Sequence, residues 1–545
     1  MSEIQINPSI LSSCLPTCNS VTGQHWEIHY YGDDAVVRRV LSWLENCGDG
    51  CDVGHLGRWL AALPDKWALI AISATCQVAA VDKIRSFPLF YSTHGAQCVV
   101  SNSARKLHEE KTAVDGSSPQ ILEFSMAGYT TGRDTLVSDV KQLLPGEIIF
   151  SQCNSEPQIH RYYRYLPQPK SGFTRTQLVD ELAETTERIF LRMIESIGDR
   201  QLLVPLSGGL DSRLIICMLR HLGYENVLTY SYGPPGNYEA KIAQHVATKA
   251  GYPWEFVATT HAGFRSYFWS SARKAYWEFS DGLSTIPNMQ DIYPLLQLRD
   301  RGLSKDAIVV NGQSGDFISG GHIPAQILED EGRKFLLDAL LRKHFALRES
   351  LRTKENVAVV SKRIESSLKD MEAAVGMTLS AASLYESWEW QERQCKYVIG
   401  GQRIYDWLGM DWRLPLWDVA YLKFWCQVPF EFKLNQLLYK EYLRSRDYCG
   451  LFREFSPTVW RWPGASMAVL PVAQLVGLLG GRGAKQRFYA YARYLGHYGP
   501  NYAPWGWRRF LSEATDIRNP VSLSVSTWLL EAGNEIGILE PKPKL

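Results

Sequence analysis

The twelve residues LLVPLSGGLDSR at 202–213 carry the densest chemistry in the chain. An apolar run ends in Leu206, Ser207, Gly208, Gly209, Leu210, Asp211 and Ser212. Periodic apolar residues resume at Leu214, Ile215, Met218, Leu219 and Leu222. That pattern predicts a strand, a tight glycine turn open to few other residues, and a helix. Backbone N–H groups and small hydroxyls then converge on a helix N-terminus, a nest that holds anionic oxygen without a lysine. Asp211 beside it repels bare phosphate but suits phosphate carried with Mg²⁺. The GxxxxGK[ST] phosphate loop occurs nowhere in the chain.

The elements that must position this loop alternate. LPQPKSGFTR (166–175) reads as a linker, and Thr174 with Gln177 forms a capping box. The helix it opens bears Leu178, Leu182, Ile189, Met193 and Ile194 on helical spacing. LLVPL (202–206), VLTYSYG (227–233) and AIVVNG (307–312) read as strands, with a helix around 238–250. Such alternation predicts a doubly wound parallel sheet, whose ligands gather at the carboxyl ends of the strands. Residues 25–165 read as short strands and turns, including WALIAIS (67–73), CVVSNS (98–103) and GEIIFSQ (146–152). Residues 330–450 read as mostly helical, and the tail after 456 is rich in Trp, Tyr and Arg. The expected architecture is therefore α/β, with a β-rich α+β domain (1–165), the linker (166–175), a nucleotide-binding domain (176–455) and a helical extension (456–545).

SGGLDS after a buried strand resembles the pyrophosphate-binding loop of the ATP-pyrophosphatases, and its flanks resemble the asparagine synthetase-like family. In the N-terminal part, Asp82, Arg85-Ser86-Phe87-Pro88-Leu89-Phe90-Tyr91 and Ser101-Asn102-Ser103-Ala104-Arg105-Lys106-Leu107 resemble the later strands of that family's class II glutamine amidotransferase domain. Leu144-Pro145-Gly146 and Arg161-Tyr162-Tyr163-Arg164-Tyr165 resemble its end. The family's nucleophilic cysteine directly after the initiator methionine is replaced here by Ser2, and the first cysteine is Cys14. A degenerate, structural remnant is expected rather than a glutaminase.

For the second domain the resemblance implies ATP and Mg²⁺ as cofactors. It places Leu206 to Ser212, Tyr232, Asn311 and Gly312 at ATP and pyrophosphate. Asp211 and Asp316 become the metal carboxylates, with Asp316 closing the loop Asn311-Gly312-Gln313-Ser314-Gly315-Asp316. Gly320-Gly321-His322 continues that loop, and Tyr238-Glu239 resembles the family's YE pair. Asp411-Trp412-Arg413-Leu414-Pro415-Leu416-Trp417-Asp418 and Lys440-Glu441-Tyr442-Leu443-Arg444 resemble its R-P-D and K-x-x-L-R segments, giving Gln313, Lys440 and Arg444 as the catalytic set. Gln313 stands where the family has a glutamate; an amide orients a substrate but takes no proton at neutral pH. The family's pyrophosphate-clamping lysine has no clear counterpart, and Arg461 lies nearby.

Composition sets the remaining bounds. The chain has 545 residues, 45% hydrophobic and 21% charged, with a net charge of +1 from 58 basic and 57 acidic residues. No global field draws it to nucleic acid. Its eleven cysteines form no secreted disulfide framework, and Cys47 with Cys51 in CGDGC reads as a plain turn. MSEIQINPSILSS lacks the features of a signal peptide, so a cytoplasmic protein is expected. MAVLPVAQLVGLLGG (467–481) is too short to span a membrane and is followed by Arg482, Lys485, Arg487, Phe488, Tyr489, Tyr491, Arg493 and Tyr494. It reads first as a buried helical hairpin and second as a surface (467–494) touching lipid at the inner face of the membrane.

The resulting expectation is an ATP-dependent amide-forming ligase. A carboxylate is adenylated with release of pyrophosphate and passed to ammonia or an amine. The substrate is aspartate or, by resemblance to a surface-polysaccharide branch, a sugar uronic acid. A non-catalytic nucleotide-binding scaffold and an intramolecular amide cyclase of the β-lactam or lasso type stay open beside it. The oligomeric state is not fixed by sequence.

Overall fold

The computed structural model describes residues 19–47, 52–64, 66–95, 97–108, 114–152, 155–329, 332–453, 469–495 and 499–539. Before the linker the described strands are β1 (Asn19–Thr22), β2 (Glu27–Gly32), β3 (Trp67–Ile72), β4 (Cys76–Val81), β5 (Phe90–His94), β6 (Gln97–Ser101), β7 (Val114–Asp115), β8 (Lys141–Gln142), β9 (Glu147–Gln152) and β10 (Gln158–Arg161). They build an antiparallel sheet of order β1-β2-β3-β4-β9-β10 and a smaller one of order β6-β5-β8. Strand β3 is apolar throughout because each of its faces meets a core. Leu69 and Ala71 join one cluster, and Ala68 and Ile70 join the other, as the two-residue period of a strand requires.

The expectation of strands and turns over 25–165 is corrected by three helices of nine or more residues, α1 (Asp34–Cys47), α2 (Val53–Ala61) and α3 (Pro119–Ala127), beside a single helical turn at Ala104–Leu107. Helix α1 buries Val36, Val37, Val40, Leu41 and Leu44, a helical stripe written largely in β-branched residues that favour strands. The segments resembling the amidotransferase serve the fold locally. The buried carboxylate of Asp82 accepts the N–H groups of Trp67 at 2.9 Å and Ser86 at 2.9 Å. Arg85, with φ of 57°, donates from Nε to the Leu143 carbonyl at 2.9 Å.

Past the linker, helix α4 (Arg175–Ile197) begins with the expected capping box: Thr174 N donates to Gln177 Oε1 at 2.9 Å and Gln177 N to Thr174 Oγ1 at 3.3 Å. Strands β11 (Leu202–Pro205), β12 (Val227–Gly233), β13 (Trp254–Ala258), β14 (Ile308–Val310) and β15 (Asp411–Arg413) then form a wholly parallel sheet of order β13-β12-β11-β14-β15. Helices α5 (Leu210–His221) and α6 (Tyr238–Ala250) follow β11 and β12. The strand order runs outward through β12 and β13, then reverses to place β14 on the other side of β11. That reversal opens a crevice beyond the carboxyl ends of β11 and β14, where open α/β sheets bind ligands.

The C-terminal extension returns to the N-terminal part. Strand β16 (Ile538–Leu539) pairs in parallel with β7, and Trp528 Nε1 donates to Asp281 Oδ2 at 3.0 Å. The helical region Val469–Leu495 is broken at Gly481, whose φ is 77°. Lys485 Nζ donates to Gln474 Oε1 at 3.0 Å, and an ideal Cβ on Gly477 would lie 3.3 Å from Lys485 Cβ. Residues eleven apart touch in this way only when the helix doubles back. The expected hairpin is therefore present, but its tip is exposed rather than buried: Leu478 and Leu479 are 83% and 82% accessible.

Candidate functional site

The loop after β11 is folded by its own serines. Ser207 N donates to Ser212 Oγ at 3.1 Å, Gly209 N donates to Ser207 Oγ at 3.1 Å, and the two hydroxyls lie 3.2 Å apart. Neither glycine takes the left-handed conformation expected of a glycine turn, and Gly209 has φ of −75°. Space constrains Gly209 instead: a Cβ there would stand 3.1 Å from Ser207 Oγ, closer than nearly all real Cβ contacts. Gly209 caps α5 without a side-chain hydrogen bond, which leaves this helix end turned to the crevice with no built-in oxygen. Buried Arg213 fixes the loop from behind, donating to the Gly208 carbonyl at 3.0 Å and to the Leu451 carbonyl at 3.0 Å.

The loop after β14 lies against the first. Asn311 is buried; its Oδ1 accepts Gln313 N at 2.9 Å and its Nδ2 donates to Tyr405 Oη at 2.9 Å. Ser314 takes φ of 65° and donates from Oγ to Gln394 Oε1 at 2.6 Å. Asp316 N donates to Asp211 Oδ2 at 3.1 Å, and Tyr439 Oη donates to Asp211 Oδ1 at 2.9 Å. Gly315 lets the two loops close. A Cβ there would meet Asp211 Cγ at 2.4 Å and Leu416 Cδ1 at 2.7 Å. Gly315→Ala is therefore expected to push Asp211 out of place and to cost about 1–3 kcal/mol as overpacking. Turnover should fall more steeply than thermal stability; equal turnover in the variant would show that the contact between the loops is dispensable.

Charge is concentrated where the loops meet. Burial, with the Asp316 carboxylate beside it, lifts Asp211 to about 7. Burial also works against ionisation of Asp316, but His322, whose Nε2 lies 3.1 Å from its Oδ2, outweighs that and holds it below the usual carboxylate range. His322 Nδ1 lies 2.6 Å from Glu389 Oε1, and Lys343 Nζ lies 3.1 Å from Glu389 Oε2.

His344 is fully buried beside Trp388 with its Nδ1 3.0 Å from the Tyr129 hydroxyl, and burial lowers its pKa to about 3 from the ordinary 6.5. The folded state thus refuses a proton that the unfolded chain accepts below pH 6.5. Stability should fall by about 1.4 kcal/mol per pH unit as pH drops from 6.5 towards 3. His344→Phe removes that component of the slope; acid-unfolding curves of equal slope in both proteins would count against the assignment.

The loops open onto a cavity of about 620 Å³, within the usual range for a small-molecule site. Leu206, Ser207, Gly209, Asp211, Ser212, Tyr232, Asn311, Gly312 and Gln313 all line it, whereas Lys440 and Arg444 face a separate surface cleft beside Arg175. Gln313 Oε1 accepts Gln402 Nε2 at 2.6 Å, which orients its amide. The spacing of the motifs gave no sign of the groups that brace these walls. Buried Asp291 accepts Tyr232 Oη at 2.7 Å and Tyr405 Oη at 2.7 Å, joining the ends of β12 and β14. Gln394 and Tyr397 come from a π-helical stretch, Trp390–Val398, a conformation common at functional sites and without a sequence signature. Asn501, Trp505, Asn519 and Ser524 of the C-terminal extension close the far side. Arg461, Met1, Ser2, Cys14 and Cys51 lie outside the described residues.

A Mg²⁺ ion accords with the acidic pair, since two neighbouring carboxylates raise each other's cost of ionisation and a cation relieves it. Among the described residues no group of three or more His, Cys, Asp or Glu side chains is arranged to hold a metal. A cation here would draw its other ligands from phosphate and water, as Mg²⁺ commonly does.

A parallel sheet whose switch point carries a serine-glycine loop, a helix N-terminus and paired carboxylates defines a nucleotide-binding α/β domain. Residues 192–446, a little under half of the chain, match the family model for asparagine synthase. Among solved structures it is similar to the glutamine phosphoribosylpyrophosphate amidotransferase from B. subtilis complexed with ADP and GMP. That match has 12% identity and a TM-score of 0.14, over 54% of this chain and 57% of that one. A structure described as the allosteric regulatory enzyme of purine biosynthesis matches at 13% identity and TM-score 0.14, over 54% of this chain and 56% of that one. The chain thus spans little more than half of either relative. No curated protein matches it.

Proposed function

We propose that the chain activates a sugar carboxylate, a uronic acid of the kind found in surface polysaccharides, as its adenylate and passes it to ammonia or an amine. The carrying observation is the contact between the two loops at the β11–β14 switch point, where Asp316 N donates to the carboxylate of Asp211, which lines the cavity. In this reading Ser207, Gly209 and Ser212, with the free first turn of α5, cradle the pyrophosphate end of ATP. Tyr232, held by Asp291, flanks the base. Asp211 and Asp316 would hold Mg²⁺, which supplies charge stabilisation for the departing pyrophosphate. Gln313, oriented by Gln402, directs the acceptor by hydrogen bonding and removes no proton.

The far half of the cavity supports a sugar over aspartate. Its wall combines Trp505 and Phe264 with the carboxamides of Asn288, Gln290, Asn501 and Asn519. Aromatic faces and amides suit a hydroxyl-rich ring. Among the described lining residues there is no lysine or arginine to pair with an amino acid's α-carboxylate. The N-terminal domain acts structurally in this reading, and the amine comes from solution or from a substrate. Exchange of labelled pyrophosphate into ATP, run with uronic acids and with aspartate, tests the proposal. Exchange dependent on a uronic acid is expected; exchange with aspartate alone overturns the substrate, and none with any carboxylate overturns the reaction.

A further inference from the structure

We propose that the hairpin at residues 469–495 docks the protein on an anionic lipid surface, with its leucine tip in the headgroup region. The first arm presents Val472, Leu475 and Leu479 on one helical stripe, at 43%, 56% and 82% exposure, and Leu478 beside them at 83%. Large apolar side chains this bare on neighbouring positions mark a contact surface. Gly480, Gly481 and Gly483 make the turn, so the backbone at the tip is slender and the leucines stand proud of it.

Charge identifies the occupant. The whole stretch from Val469 to Leu495 holds Arg482, Lys485, Arg487 and Arg493 and no aspartate or glutamate, in a chain whose overall net charge is only +1. The aromatic run of the second arm includes Tyr491, 44% exposed, and such residues favour the boundary between headgroups and hydrocarbon. An apolar tip backed by cations and aromatics is the chemistry of an interfacial anchor on an acidic membrane. A purely apolar partner surface would leave the cations without partners.

Depth is limited by geometry. No helix among the described residues is long and apolar enough to cross a membrane. Each arm, at 1.5 Å per residue, reaches about 20 Å, short of the roughly 30 Å hydrocarbon core. The hairpin packs against the turn Gly499–Tyr502 and the helix Gly506–Glu513, the segment that carries Trp505 and Asn501 to the cavity. Docking would therefore hold the far side of the cavity close to the bilayer surface.

Flotation of the full-length protein with vesicles tests this. Vesicles of phosphatidylcholine mixed with phosphatidylglycerol should carry the protein, and vesicles of phosphatidylcholine alone should carry much less. Leu478→Glu with Leu479→Glu, at positions already exposed, should lower the bound fraction at least about tenfold with unfolding temperature unchanged. Lys485→Glu with Arg487→Glu should weaken binding roughly fivefold or more per charge, an effect that salt mimics in the wild type. Failure of the wild type to bind mixed vesicles overturns the proposal, as does equal binding by the leucine variant. A wild type that is oligomeric without lipid, and becomes monomeric with Leu478→Glu and Leu479→Glu, overturns it in favour of a second copy of the chain.

Discussion

Asp211→Asn is expected to abolish carboxylate-dependent pyrophosphate exchange, by about a thousandfold or more, while leaving the fold intact. The carboxylate is the only acid in the first turn of α5, and it is gripped by the second loop through Asp316 N at 3.1 Å. Loss of a group that stabilises charge on a departing pyrophosphate costs several kcal/mol of transition-state energy, and each 1.4 kcal/mol is a factor of ten. The fold should survive because the substitution is isosteric. The amide oxygen still accepts one of its two donors, and the repulsion from Asp316 that now raises Asp211 disappears. The measurement is exchange rate beside unfolding temperature. A variant with wild-type exchange would remove Asp211 from the reaction, and one that exchanges nothing but also fails to fold would be replaced by Asp211→Ser. If the chain were instead a nucleotide-binding scaffold, neither wild type nor variant would exchange, and nucleotide binding alone would persist.

Lys396→Met should destabilise the protein by about 3–5 kcal/mol, the usual result of removing one partner from a buried ion pair. Lys396 and Glu392 are both fully buried in the π-helical stretch. The ammonium donates to Glu392 Oε2 at 2.5 Å, the Gly132 carbonyl at 2.7 Å and the Thr130 carbonyl at 3.0 Å; Gly132 N donates to Glu392 at 2.9 Å. The pair thus pins the 130–132 turn of the N-terminal domain onto the helix that also supplies Gln394 and Tyr397 to the site. Removing the lysine strands a carboxylate and two carbonyls. Unfolding temperature should drop by roughly 3–4 °C for a chain of this size unfolding as one unit, and the additional Glu392→Leu change should restore part of it. A loss under about 1 kcal/mol would mean that the site and the N-terminal domain are not coupled through this turn.

How much was legible follows from how local each signal is. The capping box at Thr174, the strand at Leu202–Pro205 and the loop that follows depend on residues within a few positions of one another, so spacing alone placed them. The second strand-end loop was equally readable. Helix α1 was missed because its valines carry strand preference, and only packing against β2 and β3 decides for a helix. The glycines of the first loop were read for backbone freedom, yet neither takes a positive φ, and a Cβ at Gly209 would crowd Ser207 Oγ at 3.1 Å. Asp291, Tyr405, Gln394, Gln402 and the C-terminal Asn501 and Trp505 had no local signature, since each reaches the site from another part of the chain.

The sequence by itself determined the parallel sheet, the serine-glycine loop after β11 and the types of its acidic residues, because these are written in short-range periodicity and residue chemistry. Only the tertiary structure decided that Gly315 lets the Asp316 loop close on Asp211, that Lys440 and Arg444 turn to a different cleft, and that the hairpin shows its leucines to solvent. Those outcomes depend on which surfaces meet across hundreds of residues, and no run of neighbouring positions encodes that.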